Sequence, residues 1–379
     1  MSDKPLVKFG IFGLGFIGKM HAQAANSLPF CVPDPQVDLR VAALLRRNAA
    51  GDEAFIQSVG NPAVYTDINE FLAQDLDFVD ICSPNHAHLP QTLAAAEAGK
   101  NIYCEKPLAR DMAEAEQMLA AVKAAGVKTH TAFTLRYHPG VVHAKALLES
   151  GALGEPLHYR LIMYHSSYLS TQRPTSWRLR MADSGGGAWM DLGSHLVNLS
   201  QYLVGEPVNV SALQHTFIQS RPDVAGGSGS VPVDVDDWCL ATLKLANGAV
   251  GTVEVTRVAA GTGEDTSLEI YCSKGAVRYS ASKPEVMQWH DLKSKTWITG
   301  LPDVDARVNG HKINHLWATP KFEQGRMVNA HLASIYDFAL CLAEGKDSEL
   351  NFESAVRTQR VLEAANQSAK RGGETIRLE

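Results

Sequence analysis

Six residues, Gly13-Leu14-Gly15-Phe16-Ile17-Gly18, constrain what this chain folds into more than any other stretch. They follow an apolar run at residues 7–12 and open a helical run near Phe16. In that setting each glycine has a physical task. Gly13 permits a tight turn, Gly15 lets the backbone approach a pyrophosphate, and Gly18 lets helix and strand pack closely. The helix start offers N–H groups and the positive end of its dipole to the phosphates, with Phe16 and Ile17 on the same approach. The pattern predicts a dinucleotide-binding turn.

The next hundred or so residues fit that turn. Apolar strand segments at residues 39–45, 78–82, 101–104 and 127–133 alternate with alanine-rich helical segments at 89–98 and 112–125. Gly99 and Gly126 stand just past those two helices, where a left-handed residue is wanted. Such alternation is the signature of a parallel, doubly wound sheet. After about residue 134 the strands lengthen and alternate, at 157–165, 239–245, 249–257 and 266–271, and Asn247-Gly248 marks a hairpin. That pattern implies a largely antiparallel sheet with one face covered and one open to a partner. Residues 28–37 form a proline-rich link, 224–233 a mobile Gly/Ser/Pro-rich loop, and helices around 329–343 and 353–370 close the chain. The expected fold class is α/β. A Rossmann domain covers 1–133, and an α+β domain with an open-faced, mostly antiparallel sheet covers 134–379, its last helices free to pack back on the first domain.

Composition excludes several other classes. A length of 379 residues exceeds what one core usually supports. A net charge of -6 with no basic stripe argues against a nucleic-acid partner. No apolar run approaches the roughly 18 residues a membrane span needs. Residues 1–8 lead straight into a strand without a signal-peptide pattern, and six cysteines without a CxxC pair suit a reducing compartment, so the expected location is cytoplasmic. At the second strand's end, Arg46 and Arg47 stand where a carboxylate would select NAD, so the cofactor expectation leans to NADP over NAD.

Three further motifs carry the chemistry: Ser83-Pro84-Asn85-His86-Ala87-His88, Glu105-Lys106-Pro107, and the run from Gly185-Gly186-Gly187 through Asp191 to His195. Oxidising a secondary alcohol needs a group for the hydroxyl proton and one to steady alkoxide charge. Lys106 suits the oxygen, and a histidine titrating near neutrality suits the proton. Asp191 and His195, four apart on a helical segment ending near Gly205, share one face beside the core stripe Leu192, Leu196, Leu199 and Leu203. Pro107 is expected to follow a cis bond that aims Lys106 inward. Trp177 and Arg178 offer an aromatic face and donors to a polyhydroxy ligand. His86 with His88, and His311 with His315, lack the four convergent ligands of zinc, so no metal is expected. His165 and His331 are weaker candidates still.

With the glycine turn, these motifs resemble the glucose–fructose oxidoreductase/inositol dehydrogenase (Gfo/Idh/MocA) family over essentially the whole chain. The resemblance implies an NAD(P)-dependent oxidoreductase acting on a sugar or polyol, assembled as a homodimer or homotetramer through the open sheet. It implies Lys106, Asp191 and His195 as catalytic, with His195 the favoured base and Lys106 the polariser. It puts Ser83, Pro84, Asn85, His88, Glu105 and Lys106 near the cofactor, and Arg136 and Tyr137 near substrate. Two other outcomes remain open: a non-catalytic cofactor-binding regulator of the same fold, and an NAD-dependent glycosidase.

Overall fold

The computed structural model describes residues 4–48, 50–223, 229–300, 316–319 and 321–378. The chain divides into two compact units. The first gathers the described residues within Met1–Ala109, Ala113–Tyr137 and Lys312–Val356, and the second those within Arg110–Met112, His138–His311 and Arg357–Glu379.

In the first unit six strands form one sheet: β1 (Leu6–Phe12), β2 (Asp38–Leu45), β3 (Ala63–Tyr65), β4 (Phe78–Ile81), β5 (Asn101–Cys104) and β6 (Thr129–Thr131). Their order is β3-β2-β1-β4-β5-β6, and every pairing is parallel. The order reverses beside β1, the switch point at which dinucleotides bind in such sheets. Continuous apolar strands build this core: Phe9 stacks on Phe78 at 4.7 Å, and Phe338 meets Phe78 edge-on. Helices α1 (Phe16–Asn26), α2 (His88–Glu97) and α3 (Met112–Ala125) are the long crossovers. Of two later helices, α4 (Ser194–Leu203) belongs to the second unit, whereas α5 (Arg326–Ala343) packs on α1 within the first. Strand β3, only three residues long, carries too little pattern to be seen in the sequence. The proline-rich link contains one helical turn, Leu28–Cys31.

The second unit is built on nine strands: β7 (Pro156–His165), β8 (Pro207–His215), β11 (Trp238–Leu245), β12 (Val250–Thr256), β13 (Glu264–Cys272), β14 (Gly275–Ser280), β15 (Met287–Asp291), β16 (Thr296–Thr299) and β17 (Ile376–Arg377). Their order is β16-β15-β14-β13-β7-β12-β11-β8-β17. The Asn247-Gly248 turn joins β11 to β12, with Gly248 at φ +89°. One pair, β12 with β7, is parallel, so the sheet is mixed though mostly antiparallel. Period-two alternation buries Cys239, Ala241, Leu243 and Leu245 on one face of β11. In the region expected as a mobile loop, Ser230–Pro232 (β10) instead pairs with Ser220–Pro222 (β9); residues 224–228 lie outside the described residues.

Candidate active site

Because the first sheet is parallel, the turns after β1, β4, β5 and β6 share its carboxyl edge. The glycine turn follows β1. Gly13 sits at φ +89°, a Cβ on Gly18 would lie 2.1 Å from the Gly13 carbonyl oxygen, and a Cβ on Gly15 would meet nothing within 4 Å. Turn, helix packing and open approach are thus divided among the three as phosphate binding requires. Gly15 is the N-cap of α1, no side chain caps that end, and Phe16 is exposed beside it. A dinucleotide fits these residues.

Arg46, at the tip of β2, is already engaged. Its guanidinium donates to Gly51 O at 2.7 Å and to Asp52 Oδ2 at 3.2 Å, while Lys19 Nζ donates to Asp52 Oδ1 at 2.5 Å. These cations hold Asp52 below the usual carboxylate range, Lys19 foremost. Arg47 beside it is exposed. Asp52 lies seven residues beyond the strand, where nothing in the sequence marks it, yet it brings a carboxylate back to the Arg46 guanidinium. Asp52→Asn should raise the ratio of kcat/KM for NADP over NAD by about fivefold, a modest gain because solvent and salt screen a charge at this surface. An unchanged ratio would mean that this pair does not reach the adenosine ribose.

The turn after β4 holds Ser83, Pro84 and the buried Asn85, and Ser83 Oγ donates to Gln91 Oε1 at 2.5 Å. The turn after β5 holds Glu105, Lys106 and Pro107, with a cis Lys106–Pro107 bond. His88, at the start of α2, lies between the two turns. Its Nδ1 faces Pro107 O and Leu108 O at 3.2 and 3.1 Å, and its Nε2 faces Ser83 O at 3.1 Å. The ring is buried and burial lowers its pKa; a neutral ring has one N–H, so it donates to the carbonyls on one side only. After β6, Arg136 is half-buried, while Tyr137 is buried and donates its hydroxyl to Asp337 Oδ2 at 2.8 Å. His86 is exposed, and His311 and His315 lie outside the described residues.

Beneath Lys106 runs a buried polar network that the sequence did not reveal. His21 on α1 faces Asp80 Oδ2 of β4 through Nδ1 at 2.8 Å, and through Nε2 faces His331 Nδ1 at 2.9 Å and Glu105 Oε1 at 3.2 Å. Glu105 Oε2 accepts the Lys106 backbone N–H at 3.1 Å. Although burial opposes charge on His21, Asp80 raises its pKa well above the ordinary value. Burial likewise disfavours a charged Glu105, yet His21 first, then His331 and Lys106, bring it down to about 2. His331, buried beside that cation, falls to about 3. These donor atoms also lie close enough to be considered for metal; here His21 hydrogen-bonds Asp80 and His331 and forms an ion pair with Glu105.

His130, fully buried between Ser348 Oγ (2.7 Å) and Ser334 Oγ (3.0 Å), also falls to about 3, chiefly by burial. Unfolded, His130 and His331 would each take up a proton below about pH 6.5; folded, neither does until about pH 3. The unfolded state therefore binds more protons across that window, and stability drops as pH falls, by up to about 1.4 kcal/mol per pH unit for each ring. Glu105 adds the same sign between about pH 4.5 and about 2. His21 acts oppositely, its contribution being lost only as pH rises through its raised value. Urea midpoints should decline from pH 7 through 6 to 5; a flat profile would mean both rings titrate in the fold as they do unfolded.

In the second unit the triple glycine explains itself by contact. A Cβ on Gly185 would strike the Arg110 backbone, one on Gly186 the Met190 side chain, and one on Gly187 the Asp236 carbonyl at 1.9 Å. Buried Asp236 accepts from the Gly187 and Trp189 N–H groups at 2.9 and 2.8 Å, which fixes the start of the next turn. Trp189–Gly193 then winds as a π turn before α4. The expected single helical face is corrected here: His195 belongs to α4, whereas Asp191 sits in the wider π turn, a distortion found often at functional sites. Leu192, Leu196, Leu199 and Leu203 are all buried, and Asp191 and His195 are partly exposed beside them.

Asp191 is anchored by Arg257, just past the end of β12. Arg257 is 1% exposed, donates Nη2 to Asp191 Oδ2 at 2.9 Å, and lies 4.9 Å from the Tyr168 ring centroid. Its Nη1 reaches Arg178 O at 3.4 Å, so it also fastens the turn carrying Trp177 and Arg178, whose side chains stack at 4.3 Å. The second unit thus brings Asp191 and the Trp177-Arg178 turn together through Arg257. A basic residue closing a core strand is the only signal the sequence holds for it. His165 bonds Ser167 at the end of β7.

Glycine turn, parallel switch point and the lysine turn define a nucleotide-dependent oxidoreductase. Residues 7–133 match the oxidoreductase family with NAD-binding Rossmann fold, and residues 141–278 match the GFO/IDH/MocA C-terminal domain. The chain belongs to the GFO/IDH/MocA oxidoreductase family. It is similar to a levoglucosan dehydrogenase of Pseudarthrobacter phenanthrenivorans, 32% identical over 378 residues and 95% of each chain. A solved levoglucosan dehydrogenase in complex with NADH and levoglucosan superposes with a TM-score of 0.89, at 29% identity and 99% of each chain. An NADP-dependent D-xylose 1-dehydrogenase of Haloarcula marismortui is 32% identical over 236 residues, 62% of this chain and 64% of that one. No helix among the described residues is long and apolar enough to cross a membrane.

Proposed function

We propose that this chain transfers a hydride between a bound nicotinamide dinucleotide and a secondary or anomeric alcohol or carbonyl carbon of a sugar, inositol or sugar derivative. The observation that carries this reading is the shared carboxyl edge of the parallel sheet, where the glycine turn, Ser83-Pro84-Asn85 and Glu105-Lys106 follow β1, β4 and β5. The dinucleotide, when bound, supplies or accepts the hydride. Lys106 holds the reacting oxygen and offsets its growing negative charge as an alcohol is oxidised. His195 takes the hydroxyl proton, and Asp191, oriented by Arg257, holds a substrate hydroxyl or steers the histidine. Trp177, Arg178 and Arg136 contribute an aromatic face and donors to replace the water each sugar hydroxyl gives up.

Several finer points belong to the same reading. Arg46 and Arg47 favour NADP, against which Asp52 competes. Residues 1–133 serve the dinucleotide and 134–379 the substrate, apart from α5. The open face of the nine-stranded sheet makes a homodimer or homotetramer, and the location is cytoplasmic. The test is absorbance of reduced nicotinamide over a panel of pyranoses, anhydrosugars, inositols and sugar acids, with NAD and with NADP. Turnover with at least one of them is expected. Sugar release without net redox would favour the glycosidase, and cofactor binding with no turnover would favour the regulator.

A further inference from the structure

We propose that His21 is a positioning residue of the reaction: clamped between Asp80 and Glu105, it fixes the Glu105 carboxylate and through it the backbone from which Lys106 projects. This inference rests on the reading of Lys106 given above. His21 lies on α1, outside every motif that carries the chemistry, and its reach to Lys106 is through Glu105.

The geometry leaves His21 little other function. Its ring is fully buried; Nδ1 hydrogen-bonds Asp80 of β4 at 2.8 Å, while Nε2 hydrogen-bonds His331 Nδ1 at 2.9 Å and pairs electrostatically with Glu105 Oε1, just past β5, at 3.2 Å. The same helix begins at the glycine turn, so one side chain links the phosphate end of the site to the lysine turn. Glu105 divides its oxygens: Oε1 faces His21 and Oε2 accepts the Lys106 N–H at 3.1 Å. An isolated buried carboxylate would take up a proton or turn to solvent. A cationic ring holds it charged and in place.

The groups facing His21 from every packed element are consistent with a charged ring. From β4 come Asp80 and the Cys82 thiol, which donates toward Asp80 Oδ1 at 3.3 Å. From β5 and its turn come Tyr103, edge-on at 5.6 Å, and Glu105. From α5 comes His331, whose neutral ring accepts at Nδ1. Two carboxylates, one cation and neutral partners leave one net negative charge in this buried network.

Two measurements test this. The first needs no substrate: nitrogen NMR of histidine-labelled wild-type protein. Both His21 nitrogens should carry protons at pH 7.5, while His331 shows one bare nitrogen. A neutral His21 at that pH would overturn the proposal. The second uses His21→Gln, Glu105→Gln and the double variant in the nicotinamide assay. Each single variant should lose kcat about ten- to hundredfold, as a misplaced catalytic group does, with dinucleotide affinity within about threefold of wild type. The double variant should be no slower than the slower single. Multiplying losses, or an unchanged kcat in His21→Gln, would overturn it. A wild-type protein that turns over no sugar would count against the proposed reaction, and the NMR result would still decide the state of His21.

Discussion

Lys106→Ala protein should turn over its sugar about 10²–10⁴-fold more slowly than wild type while still binding reduced nicotinamide, read by its fluorescence. The magnitude is that of removing a single group that holds a reacting oxygen or its proton in a site sheltered from water. The glycine turn and the Ser83-Pro84-Asn85 turn stay intact in this variant, so binding of the dinucleotide persists. Lys106→Arg should rescue little, because a planar guanidinium presents its donors at other angles from a compact ammonium. A variant that keeps more than a tenth of wild-type turnover would remove Lys106 from the chemistry.

Arg257→Leu should show the largest loss of stability, about 3–5 kcal/mol by urea unfolding, with kcat falling in the protein that remains folded. Arg257 is 1% exposed, and the Asp191 side chain is 27% exposed. Removing the cation strands a mostly buried carboxylate, which is the costly way to break such a pair. It also frees the Arg178 carbonyl and the Tyr168 face. Arg257→Lys should recover only part, since lysine cannot reach Asp191 and Arg178 O as one rigid fork. Asp191→Asn, which keeps a hydrogen-bond acceptor for Arg257, should cost less stability and lose kcat all the same. Equal stability losses in Asp191→Asn and Arg257→Leu would contradict the view that Arg257 is the anchor.

Much of the site is legible in sequence because its signals are local. A glycine that must turn, pack or make room is written into six residues, and the structure assigns those three tasks to Gly13, Gly18 and Gly15 in turn. Parallel strands such as β4 and β5 are apolar apart from Asp80 and Asn101 and appear at nearly their observed bounds. The parts that stay hidden depend on partners far apart in sequence. His21 meets Asp80 59 positions on and His331 310 positions on; no periodicity announces such pairs. Asp52 is an ordinary helix-start aspartate until the fold turns it toward Arg46. The parallel β7–β12 pair is invisible because hairpin reasoning joins neighbours, whereas these strands are brought together across β8 and β11. The π turn at Asp191 escapes for a subtler reason: four-residue spacing looks the same in sequence whether the turn is α or π.

That parallel pair also frees one stretch of chain to diversify. The chain leaves the sheet at the end of β7 and does not rejoin it until β8, beyond β12 and β11. Trp177, Arg178, Asp191 and His195 all lie on this single excursion. The registers of the surrounding strands are set by β11, β12 and β13, none of which it contains. The stretch before the triple glycine therefore sets none of those registers, though its Tyr168 and Leu179 are pinned in a buried cluster with Val233 and Val235. Its exposed positions can change to meet a different molecule while the strand registers beneath it stay as they are.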